Sequence, residues 1–431
     1  MICLIKLRYK IPIDKVGVMI YYIHTNKVGK RKEQCCLFVY ADNAATTKMS
    51  PAAVNSMLPY LEENYGNASS LYAFGQKSAE ALTAARNTIA ACINADPKEI
   101  IFTSGGSESD NQAIRSAAEW GALRGKKHII STAFEHHAVL HTLRKLKKEG
   151  YEITLLDVHE NGIVTAGQVA EAIREDTCLV TVMYANNEIG TIQPVAEIGR
   201  VCRENGVWFH TDAVQAAGHL PIDVKAENID MLSMSAHKFH GPKGSGVLFV
   251  RRGAPLYSLI EGGAQERNRR AGTENIAGIS AMAAALKESC EHMEENTAKV
   301  AVLRDRLIDG LEKIPHSALN GDRTTRLPGN VNFCFEGIEG ESLLLLLDDA
   351  GICASSGSAC TSGSLDPSHV LLAIGRPHEV AHGSLRLTVG EYNTEEEIEY
   401  ILQEVPKVVE YLRSMSPVWK DVESGKKQHM L

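Results

Sequence analysis

The chain has 431 residues, of which 44% are hydrophobic and 23% charged, a composition typical of a globular protein with one large two-part domain or two to three smaller ones. Its formal net charge of −8 gives no support for nucleic acid or a membrane surface as a partner, and no run approaches the ~18 apolar residues of a membrane helix. Ten scattered cysteines without CxxC or Cys/His ligand spacing argue against a disulfide framework and a metal site, and they indicate reduced thiols in the cytoplasm.

Residues 1–38 form a basic extension, with eight Lys or Arg residues against two acidic ones around a short apolar patch, VGVMIYYI. The patch lacks a small-residue cleavage site, so a secretory signal is not predicted. We interpret the extension as a poorly ordered tail or as the product of a start codon assigned too far upstream. A targeting or partner-binding arm is the alternative.

From Tyr40 onward, apolar β-rich runs alternate with stretches of helical period. Continuous apolar strands between helices predict an α/β fold with a mostly parallel seven-stranded sheet between helices, in a large domain of residues 39–290. The seventh strand follows the sixth after a link too short for a helix, so the two are predicted to be antiparallel. The predicted strands are 99–103, 128–132, 152–158, 178–185, 207–213, 231–236 and 246–250.

The pattern changes after about residue 290. A charged helical stretch near 284–313 leads to GNVNFCF, ESLLLLLDDAG, GSLRLTVG and an amphipathic helix near 394–413. This order predicts a smaller C-terminal α+β domain, residues 291–415, and a flexible tail, residues 416–431.

Ligands of such sheets bind beyond the carboxyl ends of the strands, so the residues that follow the strands are candidates for a site. Gly106 and Ser107 follow the first strand in SGGSESDN, where a helix start could hold a phosphate. Alone, this motif is more often only a turn and a helix cap. His136 follows the second strand in AFEHHAVL, and a lone histidine there is more often a satisfied polar residue than a catalyst.

Polar residues also follow three later strands. Asn187 lies in ANNEIG, and Asp212 and Gln215 lie in TDAVQ. A carboxylate at this position can hold a protonated ring nitrogen, although it is equally suited to cap a helix. Lys238, in SAHKFHGPKG, ends an apolar strand and is a candidate for a Schiff base, with a solvated loop lysine as the alternative. A phosphate anchor, a lysine, a carboxylate and a histidine together are what pyridoxal phosphate needs.

The motifs of the chain resemble those of cysteine desulfurases of the NifS/IscS type, within the class V aminotransferase-like group of pyridoxal-phosphate enzymes. The resemblance covers about residues 39–415 and implies the fold-type I architecture, with a large cofactor-binding domain and a small C-terminal domain. It also implies conversion of L-cysteine to L-alanine, with the sulfur held as an enzyme persulfide. The matching motifs, in the order of the family, are YADNAATT, TSGGSESDN, EHHAVL, NNEIGTIQP, HTDAVQAAG, SAHKFHGPKG, RRAGTEN, SSGSACTSG and SLRLTVG.

By this resemblance, Lys238 carries the cofactor, Asp212 pairs with its pyridinium nitrogen, and His136 stacks on its ring and helps to move protons. Thr273, in RRAGTEN, would reach the phosphate of the neighbouring subunit, which implies a homodimer with shared sites. The other implied cofactor contacts are Gly106, Ser107, Asn187, Gln215, Ser235 and His237.

The same resemblance assigns the substrate and sulfur chemistry. Arg386 would clamp the carboxylate of L-cysteine, helped by Asn187. Cys360 is the implied nucleophile, and its Ser/Gly-rich surroundings suit a segment that swings from the substrate to a sulfur acceptor. The acceptor would be a scaffold for iron–sulfur clusters or a tRNA-thiolation protein. From the residues alone, an incidental surface thiol is the alternative for Cys360.

Two other functions stay open at this point. A selenocysteine lyase or another class V lyase could use the same scaffold, whereas a transaminase would need no thiol at Cys360. A non-catalytic sulfur or iron carrier could bind iron through Cys353 and Cys360, but the sequence offers no ligand cluster for it.

Overall fold

The computed structural model describes residues 37–356 and 367–431, and its largest element is a seven-stranded sheet with the strand order β2-β8-β7-β6-β5-β3-β4. Predictions about Cys360 and the extension before Leu37 therefore lie outside the described residues. The strands are β1 (Val39–Tyr40), β2 (Ile100–Thr103), β3 (His128–Thr132), β4 (Glu152–Leu156), β5 (Thr177–Thr181), β6 (Trp208–Asp212), β7 (Met231–Ser235), β8 (Gly246–Val250), β9 (Ser317–Leu319), β10 (Asn330–Phe335), β11 (Ile352–Cys353) and β12 (Ser384–Thr388).

The sheet is mostly parallel, which confirms the predicted fold class. Strands β4, β3, β5, β6 and β7 run parallel to one another. Strand β8 is antiparallel to β7, as its short connection predicts, and it is also antiparallel to β2.

The helices follow the polar stretches between the strands. They are α1 (Pro51–Glu62), α2 (Ala73–Cys92), α3 (Gly106–Ala122), α4 (His137–Lys148), α5 (Ala166–Ala172), α6 (Val195–Glu204), α7 (Ile276–Glu291), α8 (Met293–Leu311), α9 (Gly340–Asp349), α10 (His369–Ala373), α11 (His378–Ala381), α12 (Glu395–Met415) and α13 (Pro417–Glu423). The predicted helix near 284–313 is divided between α7 and α8. None of the described helices is both long and apolar enough to cross a membrane.

Both faces of the large sheet are covered. Ile129 and Ile130, neighbours on β3, belong to two different hydrophobic clusters, because successive side chains of a strand point to opposite faces. Every residue of β5, β7 and β8 is buried, whereas the edge strand β4 keeps exposed positions. This arrangement explains why the inner strands are continuous apolar runs.

Two smaller sheets join distant parts of the chain. Strand β10 pairs with β9 and β12 in an antiparallel sheet, and β1 pairs in parallel with β11. Asp42, just after β1, also bridges to Thr388 on β12. The segment before α1 therefore lies against the C-terminal part of the chain, while the predicted domain boundaries at 290 and 415 stay predictions.

The C-terminal tail differs from its prediction. Residues 416–431 were expected to be flexible, but α13 lies within them and buries Trp419 and Val422. Ser416 caps this helix by accepting a hydrogen bond from the Trp419 amide, and Pro417 occupies its first turn. The polar residues at the end of the tail led to the prediction of flexibility, whereas the buried apolar side chains of this short helix hold it against the fold.

Candidate active site

The carboxyl ends of β6 and β7 and the start of α3 meet at one point. Asp212 ends β6, Ser235 ends β7, and Gly106 begins the 17-residue helix α3. A Cβ atom at Gly106 would lie 2.5 Å from Val214 Cγ2 and 3.8 Å from Ser235 Cβ. Only glycine permits this close approach of the helix start to the strand ends, and such a helix start attracts phosphate.

Gly105 shapes the space beside this helix start. Its φ of +152° lies in the region that favours glycine, and a Cβ there would lie 3.6 Å from Ser235 Oγ. A side chain would fill the gap between the helix amides and the serine hydroxyl. The predicted phosphate contacts Gly106 and Ser235 are thus brought together, whereas Ser107 is exposed in the first turn of α3.

Lys238 ends a short 3-10 helix, Ala236–Lys238, directly after β7. Its Nζ donates to the carbonyl oxygens of Ala44 and Ala45, at 2.6 and 2.9 Å. The side chain of Gln215 donates to the same Ala44 oxygen at 3.1 Å. The segment before α1 therefore joins two residues that the sequence analysis assigned to the cofactor.

This early segment also holds His237. The ring Nδ1 of His237 lies 3.1 Å from Thr46 Oγ1, and the carbonyl of His237 accepts hydrogen bonds from the Thr47 amide and hydroxyl at 3.0 Å. Burial and the charge of Lys238 lower the pKa of His237 to about 4. The neutral ring can donate one hydrogen bond to a phosphate without carrying charge.

Asp212 is a buried carboxylate, with 5% of the residue exposed. Burial raises its pKa to about 6, against the opposing effects of the Val214 amide, which donates to Oδ1 at 2.9 Å, and of the Lys238 charge. A cation beside this carboxylate would favour its ionised form, so the position suits a protonated ring nitrogen.

His136 caps the start of α4, because its Nδ1 accepts a hydrogen bond from the Ala138 amide at 3.2 Å. This bond assigns the proton of the neutral ring to Nε2. Burial, and then the positive charge of Lys238, lower the pKa of His136 to about 4. The ring is therefore neutral near pH 7, which suits stacking on an aromatic ring, and polar atoms of His136 and Asp212 lie within 4.8 Å of each other.

Asp110 is a site residue that the sequence analysis did not identify. It lies on α3, is 1% exposed, and its Oδ1 has no hydrogen-bond partner among the described residues. Its ligand atoms lie within 4.8 Å of those of Asp212 and His136. Burial and the nearby Asp212 charge raise the pKa of Asp110 well above its usual range. The motif SGGSESDN contains this residue, but the sequence analysis assigned only Gly106 and Ser107 in it.

His210 lies behind the same carboxyl groups. Its Nε2 lies 3.6 Å from Asp110 Oδ1, and its two ring nitrogens lie 2.8 Å from Thr181 Oγ1 and 3.0 Å from Ser233 Oγ. Burial lowers the pKa of His210 to about 3. Of these three buried groups, Asp212 is therefore the one whose environment best suits a cationic partner.

Arg386 forms a second part of the site, on β12. The residue is 3% exposed, and its guanidinium donates to Asp42 Oδ1 at 2.9 Å and to the carbonyl oxygen of Asn187 at 3.1 Å. Its Nε is buried without a hydrogen-bond partner among the described residues. Asn187 thus contributes a main-chain oxygen, and Asp42 is a partner that the sequence analysis did not identify.

The main chain of Arg386 pairs with Ser355, through hydrogen bonds of 2.6 and 3.1 Å. Ser355 begins the quoted run that contains Cys360, which itself lies outside the described residues. Thr273, predicted to serve a neighbouring subunit, is exposed in the segment before α7. The assignments of Cys360 and Thr273 stay predictions.

Comparison with known proteins identifies the family. Residues 39–401 match the family described as aminotransferase class-V. The chain belongs to this family. It is 54% identical over 393 residues to a cysteine desulfurase IscS of Clostridium botulinum strain Hall, in an alignment that covers 90% of this chain and 99% of the relative.

Two solved structures agree with this placement. A structure described as a NifS-like protein superposes with a TM-score of 0.82 at 35% identity, covering 87% of this chain and 100% of that one. A structure described as SspA in complex with cysteine gives a TM-score of 0.73 at 36% identity, covering 83% of this chain and 100% of that one. The predicted fold class, the resemblance to cysteine desulfurases and the dependence on pyridoxal phosphate are confirmed.

The described residues fit pyridoxal phosphate. The gap between the α3 amides and Ser235 would accept the phosphate group. Burial disfavours the charged form of Asp212, and the protonated ring nitrogen would give this carboxylate a cationic partner. The amine of Lys238, at the end of a neighbouring strand, supplies the nucleophile that an aldehyde requires.

Proposed function

We propose that this chain is a cysteine desulfurase that converts L-cysteine to L-alanine and holds the sulfur as a persulfide on Cys360. The observation that carries the proposal is the closeness of His136 and Asp212, whose polar atoms lie within 4.8 Å of each other. Asp212 ends β6, and Lys238 follows the paired strand β7. The agreement with relatives named cysteine desulfurase over nearly their whole length supports it.

We assign the cofactor contacts as follows. Asp212 would hold the ring nitrogen, His136 would lie on the ring, Gln215 would approach the ring oxygen, and Lys238 would carry the covalent attachment. The bound cofactor supplies an electron sink for the pair of electrons left when a substrate Cα–H bond is broken. The proposed phosphate contacts are Gly106, Ser107, Ser235 and His237, with Asn187 also facing the cofactor.

Lys238 Nζ is the group we assign to take the Cα proton of the substrate. Its two carbonyl partners, Ala44 and Ala45, hold the amine in place by hydrogen bonds. His136 Nε2 carries a proton and donates it within a hydrogen bond, because its Nδ1 is already occupied by the Ala138 amide. The neutral state of His136 leaves Lys238 as the stronger base of the two.

Arg386 is the group we assign to the carboxylate of L-cysteine. A guanidinium that keeps one buried nitrogen unpartnered among the described residues has a donor left for this anion. Because the strand of Arg386 also pairs with Ser355, the substrate carboxylate would lie near the start of the segment that carries Cys360.

The sulfur step balances without an outside oxidant. The Cys360 thiolate attacks the substrate sulfur, an S–S bond forms, and the C–S bond breaks with its electron pair moving to the carbon fragment. Protonation of that fragment and release give L-alanine. The persulfide on Cys360 then passes its outer sulfur to a thiol of an acceptor, which we propose is an iron–sulfur scaffold or a tRNA-thiolation protein. The free thiols of the described residues are consistent with the cytoplasm.

The decisive experiment follows alanine and persulfide together. The holoenzyme is mixed with L-cysteine, alanine is quantified, and the persulfide is alkylated and located by mass spectrometry. Cys360→Ala should lose the persulfide and at least about a hundredfold of alanine formation, since the thiol proposed to accept the substrate sulfur is removed. Cys353→Ala, at a half-buried thiol on β11, is the matched control and should keep both signals. Parental alanine formation by Cys360→Ala would contradict the assignment.

A further inference from the structure

The segment that carries Cys360 has described residues on both sides. On the N-terminal side, the main chain of Ser355 pairs with that of Arg386, the residue assigned to the substrate carboxylate. On the C-terminal side, Ser368 caps the start of α10. Because the first side is attached beside the proposed substrate clamp, the contacts of Ser368 decide whether the second side is attached to the same part of the site.

The hydroxyl group of Ser368 joins α10 to a buried glutamate. Its oxygen accepts hydrogen bonds from the amides of Val370 and Leu371 at 3.1 and 3.5 Å, as in a helix cap. Its proton is donated to Glu188 Oε2. Ser368 and Glu188 are each only 4% exposed, so water cannot easily replace either partner of this bond. A buried carboxylate that loses such a donor is destabilised, which makes the contact specific.

The main chain of Glu188 is attached to the substrate clamp. Its amide donates to Asn186 Oδ1 at 2.8 Å, and its carbonyl oxygen accepts a hydrogen bond from Asn332 Nδ2 at 3.0 Å. Asn332 lies opposite Arg386 in the β10–β12 pair, and the carbonyl oxygen of Asn187 accepts a hydrogen bond from the Arg386 guanidinium at 3.1 Å. None of these contacts uses the Glu188 carboxyl group, so a change of that group leaves them in place.

Helix α10 also has contacts that do not depend on Glu188. His369 Nε2 donates to the carbonyl oxygen of Glu135 at 2.9 Å. Val370 and Leu371 are buried in the large hydrophobic cluster that also contains residues of the seven-stranded sheet. The helix therefore keeps its packing when the contact of Ser368 is lost. The effect of that loss is expected where the chain enters the helix, next to the segment that carries Cys360.

We propose that Glu188 is a positioning residue for the sulfur step, because its bond to Ser368 holds the second side of the segment that carries Cys360 at the substrate clamp. This inference rests on the proposed function, in which the Cys360 thiolate attacks the substrate sulfur. Fixing both ends of a segment limits the conformations of the chain between them and raises the local concentration of a group that it carries. A contact that only stabilises the fold would affect every step of the reaction alike, and this is the competing outcome of the test.

The test separates the sulfur step from the Cα proton step in the full-length holoenzyme. Glu188→Leu removes the acceptor at a similar volume, whereas Glu188→Gln keeps an oxygen for the Ser368 hydroxyl. Exchange of the Cα proton of L-alanine in D₂O, followed by NMR, needs no thiol at Cys360 and should stay close to the parental rate in both variants. First-turnover persulfide formation on Cys360, measured by rapid quench and mass spectrometry, should fall about tenfold or more in Glu188→Leu, since a small misplacement of a reacting group can have an effect of this size. It should stay close to the parental rate in Glu188→Gln.

The matched control is Glu227→Leu. The Glu227 carboxyl group also accepts a hydrogen bond from a hydroxyl, that of Tyr184 at 2.9 Å, but it belongs to no part of the proposed site, so both rates should be kept. Amide hydrogen exchange of residues 369–371 should be faster in Glu188→Leu than in the parent and in Glu188→Gln.

Three results would overturn the inference. They are parental persulfide formation in Glu188→Leu, an equal loss of proton exchange and persulfide formation in that variant, and an equal loss of persulfide formation in Glu188→Gln. A parent that exchanges the L-alanine proton but forms no persulfide on Cys360 would instead overturn the proposed function, and this inference with it.

Discussion

At the scale of single residues, burial decides which groups of the site carry charge. Asp110, His136, His210 and His237 are all driven toward their neutral forms by removal from water. Asp212 is affected in the same direction, but its pKa of about 6 still leaves it mostly ionised at pH 7. A negatively charged Asp212 supports the proposed contact of this carboxylate with the cationic ring nitrogen of the cofactor.

The clamp assigned to Arg386 yields a residue-scale prediction. Lysine keeps the charge but cannot form the two-pronged contact with a carboxylate. Arg386→Lys should lower kcat/KM for L-cysteine by about 10- to 100-fold, the range of a charge-assisted hydrogen bond. The kcat/KM for cysteamine, which lacks the carboxylate, should change little. The ratio of kcat/KM for L-cysteine to kcat/KM for cysteamine, measured by steady-state kinetics, should therefore fall by about the same 10- to 100-fold.

The matched control for this substitution is Arg376→Lys. Arg376 is also partly buried and also donates to protein oxygens, those of Asn320 and Leu319, but it belongs to no part of the proposed site. This variant should leave the cysteine-to-cysteamine ratio unchanged. An equal loss for both substrates in Arg386→Lys would show that Arg386 supports the fold and not the substrate carboxylate.

At the scale of elements, the close approach of α3 to the strand ends is the most specific packing feature of the site. A methyl group at Gly106 would lie 2.5 Å from Val214 Cγ2, in the loop that positions Asp212. Gly106→Ala should displace that loop, destabilise the protein by about 1–3 kcal/mol, and weaken cofactor retention. Cofactor release on dilution, followed by absorbance, and thermal unfolding measure the two effects.

Gly167→Ala provides the control within the same fold. Gly167 lies in the short helix α5, where an added Cβ would meet Thr165 Oγ1 at an ordinary contact distance of 3.7 Å. It should leave both stability and cofactor retention close to the parental values, because alanine is the better helix former. Normal cofactor retention in Gly106→Ala would mean that the helix start does not hold the phosphate.

The elements also show how far the sequence could be interpreted. Strand ends could be located because a continuous apolar run followed by polar residues is a local signal, and Asp212 and Lys238 were found in this way. Asp42 and Ala44 could not be placed, because their contacts with Arg386 and Lys238 join positions 344 and 194 residues apart. Asp110 was missed for another reason, since nothing local in the sequence indicates that this acidic residue of α3 is buried beside Asp212.

At the scale of the whole molecule, the candidate site contains residues from both the N-terminal and the C-terminal parts of the described chain. Residues 42–47 reach Lys238, His237 and Arg386, and β12 connects that region to Ser355. A substitution in any of these segments can therefore alter the cofactor site and the substrate clamp together. Thr273, which is predicted to reach the phosphate of a neighbouring subunit, is exposed in the segment before α7.

The assignment of Thr273 to a neighbouring subunit predicts complementation between two inactive variants. Thr273→Glu should repel the partner's phosphate, and Lys238→Ala removes the covalent attachment, so each homodimer should be inactive. In a heterodimer, one of the two sites regains both native residues. Random pairing after co-expression should restore about a quarter of the parental activity, since about half of the dimers are mixed and each has one working site.

The control for this experiment pairs Lys238→Ala with Asp212→Ala. These two residues act on each other within one chain, as the effect of the Lys238 charge on the pKa of Asp212 indicates. Neither site of their heterodimer can be complete, so no activity should return. Return of activity in this control pair, or no return of activity in the Thr273→Glu pair, would contradict the predicted sharing of the site. The prediction requires that Thr273 acts in the partner's site while Lys238 and Asp212 act in their own.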